Sequence, residues 1–323
     1  MNIRNILNWF LSPSFGYYNM AEYDRKNIAT MICNEYTEPV KSINNNYKEI
    51  QIKNIDITKY TDYLKPVAEI YNILNKEQPK YIDHFVLHGS LADFKYVRGW
   101  SDLDTWVVIK DDILKNVDLL MTTQDLFFRL NKLLLQIDPI AHHGYIILLQ
   151  SDLDYYSFLP IEVLQASRNL YGPNNIKINI NYNINWYDKI NNIKNIFTDF
   201  QLTGIFKHHP YKGEYLTKDM VQQNEGMYQL KYLIGLVMSF PILYYSAINK
   251  PVYKAVSFDL FDKEFSNTKL IDIFSEIRMQ WGNIEKHPYT PNNIPSWLKK
   301  KLPLDYIEQT IRLLDEIINK IRR

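Results

Sequence analysis

The chain has 323 residues, 46% hydrophobic and 23% charged, a globular composition with room for two domains that excludes a disordered or fibrous protein. Lys and Arg number 37 against 36 Asp and Glu, so the net charge of +1 supplies no global pull on a polynucleotide; nucleic acid is disfavoured as a partner and not excluded. A single cysteine, Cys33, rules out an intramolecular disulfide framework and predicts a reducing, cytoplasmic compartment.

Residues 1–20 hold Trp9, Phe10, Leu11 and Pro13 but no apolar core of signal length, so no secretory leader is expected. Residues 23–38 are expected to be helical, and residues 49–55 alternate like an edge strand. Leu64, Val67, Ala68, Ile70, Tyr71 and Leu74 form a helical stripe over residues 62–75, which Gln78-Pro79 ends. A buried strand then runs through Phe85-Val86-Leu87-His88 into Gly89-Ser90, with residues 91–94 as a candidate short helix. Ser101-Asp102-Leu103-Asp104 leads into a second strand ending at Ile109.

Asp111 and Asp112 open another helical stretch, and Thr122 and Thr123 look like caps of a helix reaching Ile137 with Leu126, Phe127, Leu130, Leu133 and Leu134 buried. Asp138-Pro139 breaks it, residues 142–149 read as a third strand, and residues 160–164 begin a helix that ends at Gly172-Pro173. The Asn/Ile-rich residues 174–185 are expected to be a linker. Beyond them the period is helical: residues 188–200, residues 218–248 with a kink near Pro241, residues 268–281 capped by Asn267, and residues 304–321 with an isoleucine-rich stripe. The uncharged run 232–248 is read as a buried core helix and not a membrane span, and no membrane partner is expected. These elements predict an α+β fold: a small mixed sheet with flanking helices in residues 1–173, N-terminal extension included, and an all-α domain in residues 174–323.

Residues two apart on a strand share a face, so Asp102 and Asp104 are expected to project side by side, about 6–7 Å apart at Cα. Like charges this close repel unless a cation lies between them, and oxygen-only donors suit Mg2+ or Mn2+. At Gly89-Ser90 a glycine permits close backbone approach, and a hydroxyl beside the start of a helix suits an anion. An anion cradle next to paired carboxylates is equipment for phosphoryl or nucleotidyl transfer.

Gly-Ser followed, after a short gap, by Asp-hydrophobic-Asp resembles the signature of the DNA polymerase beta-type nucleotidyltransferase superfamily. The resemblance is carried by Gly89, Ser90, Asp102 and Asp104 among apolar strand residues, and it covers residues 65–172. It implies a minimal nucleotidyltransferase sheet, with Asp102 and Asp104 holding the metals and Gly89 and Ser90 holding the phosphates. The superfamily's third carboxylate is missing from its usual strand, which carries His142 and His143 instead. Asp138 and Glu162 are the acidic candidates to complete the site, and His143 is the candidate base. Lys231, Lys254 and Ser257 weakly resemble the lysine and hydroxyl that the helical half of related enzymes lends to the triphosphate. Arg278 and Trp281 are expected to stack or pack, and His208-His209-Pro210 to be a surface loop without zinc-site spacing.

The resemblance implies a metal-dependent nucleotidyltransferase moving a nucleoside monophosphate from a nucleoside triphosphate, ATP first, to an acceptor hydroxyl. A helical second domain is similar to that of the aminoglycoside-type enzymes, so a small-molecule acceptor is expected. The alternatives are a toxin-like enzyme acting on protein or RNA, and a catalytically silent nucleotide-binding pseudoenzyme that acts through a partner.

Overall fold

Six residues, Ile82–Leu87, form strand β3, and of these Asp83 alone is half-exposed. In a computed structural model of the chain, residues 3–12, 22–38, 46–137, 144–155, 166–179, 185–207, 216–223, 225–281 and 294–322 are described. They fall into two compact units: Met1–Tyr96 with Ser101–Asn183, and Val97–Trp100 with Ile184–Arg323.

In the first unit β3 is the middle strand of a five-stranded mixed sheet. Its antiparallel neighbours are β4 (Thr105–Ile109) and β6 (Arg168–Tyr171). Outside these lie β5 (Ile146–Leu149), parallel to β4, and β2 (Lys53–Asn54), parallel to β6. Side chains alternate across a strand, and each face has its own cover. Phe85, Leu87, Val107, Ile109, Ile147 and Leu149 face a core shared with helices α1 (Ile3–Leu11), α2 (Glu22–Glu35), α3 (Lys65–Glu77) and α5 (Val117–Ile137). On the opposite face Val86, Trp106 and Val108 meet Ile50, Ile52, Ile176 and Ile178.

Those isoleucines come largely from a separate antiparallel pair, β1 (Tyr47–Gln51) with β7 (Asn175–Asn179). The stretch expected to be a linker is therefore in part a strand. Its low-complexity composition masks a period of two, Ile176 and Ile178 inward, and burying such a side chain contributes about 1.5–3 kcal/mol. The division between units falls after Asn183, not after Pro173. The alternating run 49–55 is also not one strand: it breaks at Ile52, whose N–H donates to Asn174 O at 2.7 Å, and its halves serve different sheets.

Helix α5 begins five residues before the expected threonine cap. Asn116 Oδ1 accepts from Leu119 N at 3.0 Å, while Thr122 and Thr123 lie inside the helix and donate their hydroxyls back to Asp118 O and Leu119 O. The N-terminal helix belongs to the same body: Arg4 grips Asp152, whose carboxylate also accepts from Leu149 N at the end of β5.

Among the described residues the second unit is helical except for one two-residue ladder, β8 (Ile205–Phe206) with β9 (Leu216–Thr217), so it is not all-α. Helix α6 (Trp186–Thr203) is capped by Asn185 and ends at Gly204, at φ +71. After the short α7 (Lys218–Gln222) come α8 (Met227–Val237) and α9 (Phe240–Ala247). They separate at Met238 and Ser239, and Pro241 occupies the first turn of α9, where a missing N–H costs nothing. The stretch Gln229–Ala247 is long and apolar enough to cross a membrane by composition, yet 61% of it is buried within this unit and two helices share it. Helices α10 (Lys254–Glu264), α11 (Lys269–Gln280), α12 (Ser296–Lys301) and α13 (Tyr306–Ile321) complete the core. Asn267 does not cap α11; its side chain donates to Glu316 instead.

Candidate functional site

The β3–β4 ladder ends with the pair Leu87 and Thr105, and one further bond, His88 N to Asp104 O at 2.9 Å, carries the pairing beyond it. Residues 101–104 precede β4 but keep its alternation: Ser101 and Leu103 are buried, Asp102 and Asp104 half-buried. Leu103 joins the core that also holds Val107 and Ile109. The period of two therefore puts Asp102 and Asp104 on the face of Trp106 and Val108, away from the helices.

Beyond β3 the chain turns through Gly89 at φ +71 into the four-residue helix α4 (Gly89–Ala92). A Cβ at Gly89 would lie 2.3 Å from Asp104 Oδ2, so the carboxylate rests against the glycine backbone. Only a residue without a side chain admits that approach at that φ. Ser90 is half-buried in the first turn of α4, and its carbonyl accepts from Lys95 N at 3.0 Å. Leu91 and Ala92 anchor α4 in the helix-side core, and Tyr60 donates its hydroxyl to Leu91 O at 3.0 Å. Burial pushes the Tyr60 phenol up to about 12, so it remains a donor at neutral pH. At the other end of β3 the His84 ring, 3.0 Å from Asp83, holds that carboxyl below its usual range.

The other expected site residues distribute differently. His143 and Glu162 lie outside the described residues, as do Asp138, His142 and His208-His209-Pro210. Lys231, Lys254 and Ser257 belong to the second unit. Lys231 Nζ sits 5.8 Å from the centre of the Trp100 ring, which meets Trp281 edge-on at 4.8 Å. Lys254 is exposed at the start of α10. Ser257 is a correction: it is fully buried, and its hydroxyl donates to Lys254 O at 2.6 Å within the helix, leaving no surface for a phosphate. The sequence reading missed Arg168, the cross-strand partner of Leu87. Its only signal is a lone cation in Ser167-Arg168-Asn169-Leu170-Tyr171, just before Gly172-Pro173.

Two half-buried carboxylates and a glycine cradle form a donor set of hard oxygens, which fits Mg2+ or Mn2+ in kind. Among the described residues no three His, Cys, Asp or Glu side chains gather into a metal-binding group, so Asp102 and Asp104 supply only part of a coordination shell. Compared with protein-family models, with curated proteins and with solved structures, the chain gives no match in any of the three.

Proposed function

We propose that the first unit is the catalytic unit of a metal-dependent nucleotidyltransferase, which takes a nucleoside monophosphate from a nucleoside triphosphate such as ATP and gives it to an acceptor hydroxyl. The observation that carries this reading is the contact between Gly89 and the Asp104 carboxylate. It brings the two halves of the sequence signature together, at a point where antiparallel β3 and β4 continue into parallel β5.

In this reading Asp102 and Asp104 hold Mg2+ or Mn2+, which when bound would neutralise charge on the reacting phosphate. The chain's own residues bind and orient. Gly89 exposes backbone to the phosphates, Ser90 donates its hydroxyl to a phosphate oxygen, and the anchored helix α4 keeps both in place. Catalysis of this kind is chiefly positioning and electrostatic stabilisation, so a rigid turn beside the carboxylates suffices for the chain's share. A small-molecule acceptor is the first choice and a protein or RNA acceptor the second. A cytoplasmic setting suits a triphosphate donor.

A second reading, nucleotide binding without turnover, draws on one observation: the described residues offer two carboxylates and no third. Pyrophosphate release from ATP, measured with and without Mg2+ and across candidate acceptors, separates the two. Metal-dependent release supports the transferase; metal-dependent ATP binding with no release under any condition supports the binding module.

A further inference from the structure

Among the described residues, Arg168 is held by backbone carbonyls and by no carboxylate. Its Nη1 donates to Ala166 O at 2.9 Å and to Ser167 O at 3.0 Å. Arg4, Arg129 and Arg312 instead each grip an acid. Among the described residues no Asp or Glu pairs with Arg168, although its side chain is half-buried. A guanidinium taken partly out of water with only carbonyl partners carries a desolvation cost that an anion would offset.

Its position says which anion. Arg168 opposes Leu87, two residues before Gly89, in the antiparallel β3–β6 register. It also acts electrostatically on the buried Tyr60 phenol, as the Asp56 and Asp93 carboxylates do in the opposite sense, and Tyr60 bonds the Leu91 carbonyl in α4. The register sets Arg168 beside the end of β3 that leads into the Gly89-Ser90 turn. The two carbonyls engage Nη1 alone, and a guanidinium fork matches phosphate oxygens in pairs. Leu87 faces the helix-side core and Trp106 the opposite one, and the alternation that continues back from β4 carries Asp104 and Asp102 to the Trp106 side. Arginine and carboxylates therefore approach the turn from different faces of the sheet.

We propose that Arg168 binds the terminal phosphates of the triphosphate, the part that leaves as pyrophosphate, while the carboxylates serve the phosphate that is transferred. The assignment rests on the nucleotidyltransferase reading for the identity of the ligand, not for the existence of the anion site. The test is calorimetric titration of the full chain with inorganic tripolyphosphate, a nonhydrolysable ATP analogue and AMP, each with Mg2+. Arg168→Gln should weaken tripolyphosphate and the ATP analogue by about tenfold or more and leave AMP unchanged, since a charge-assisted contact of this strength is lost from the first two alone. Arg168→Lys, which keeps the charge without the fork, should fall between, and it carries the test if the glutamine variant does not fold. Unchanged tripolyphosphate affinity in the variants, or equal losses for AMP and the ATP analogue, overturns the assignment. So does a parent protein that binds none of the three, a result that removes the transferase reading as well. Arg168-dependent binding in a protein that transfers no nucleotide keeps the assignment and removes only the transferase reading.

Discussion

The Asp104 carboxylate rests against the Cα face of Gly89, with Oδ2 only 2.3 Å from where a β-carbon would stand. His88 N also holds Asp104 O at 2.9 Å, so the strand pairing keeps the two backbones beside one another. Gly89→Ala should therefore displace the carboxylate and also suffer at φ +71, where an L-residue costs about 1–2 kcal/mol. The expected result is a lowered thermal midpoint together with loss of Mg2+-dependent nucleotide binding. An alanine variant with the parent's melting temperature and metal response would show that the contact is not constrained.

Asp104→Asn should behave in the opposite way. It keeps the shape and removes a negative charge from beside Asp102, so stability should stay within about 0.5 kcal/mol of the parent or rise. The stabilisation of the parent by added Mg2+ should disappear. Retention of that metal-induced thermal shift in the variant would move the metal elsewhere.

The two serines proposed from sequence should now separate. Ser90→Ala is expected to weaken triphosphate binding by roughly 1.5–3 kcal/mol, or about 10- to 100-fold in Kd, the worth of a hydrogen bond to a charged group. Ser257→Ala should leave Kd unchanged, because its hydroxyl is buried and bonded to Lys254 O. Equal effects of the two substitutions on Kd would undo this distinction.

What was legible in the sequence was the strand–turn–strand that carries Gly89, Ser90, Asp102 and Asp104, because buried strands advertise themselves as apolar runs and Gly-Ser marks the turn between them. The helices of the second unit were legible for the same reason, through their 3.6-residue stripes. Hidden were features decided by pairing partners far along the chain. Residues 174–179 look like a polar linker until β1 is set beside them, and Ile52 looks like one more residue of a strand until two sheets compete for its neighbours. Arg168 was invisible because only the register with Leu87 gives it a place beside the turn. Ser257 misled in the other direction: a hydroxyl near a lysine says nothing about which way the helix turns it.

The status of residues 174–179 can be checked directly. Ile178 is fully buried in the core that β1 and β7 build over Trp106, so Ile178→Ala should cost about 2–5 kcal/mol of unfolding free energy. A shift in the urea midpoint of the first unit measures it. No shift would return the stretch to a linker.

The acid limb of stability has an assignable contributor in Asp83, whose carboxyl is held below its usual range chiefly by its hydrogen bond with His84. A depressed folded-state value means that the folded chain binds this proton more weakly than the unfolded chain does. The contribution is therefore complete above the unfolded value near pH 4 and fades as pH falls through the lower folded one. The stability difference between the parent and Asp83→Asn should accordingly shrink as pH falls below about pH 4. A difference that persists unchanged at lower pH would assign the interaction to packing and not to charge.

The claim on which the account depends is that the turn at Gly89-Ser90 and the carboxylates of Asp102 and Asp104 transfer a nucleoside monophosphate. The most direct measurement follows two isotopic labels, one on the α-phosphate and one on the γ-phosphate of ATP, through incubation with Mg2+ and a panel of hydroxyl-bearing small molecules, proteins and RNA. The account predicts that the α-label moves to an acceptor, that the γ-label leaves in pyrophosphate, and that both events cease in Asp104→Ala. Transfer of the γ-label to an acceptor, or binding of ATP with no transfer of either label to any acceptor, would contradict it.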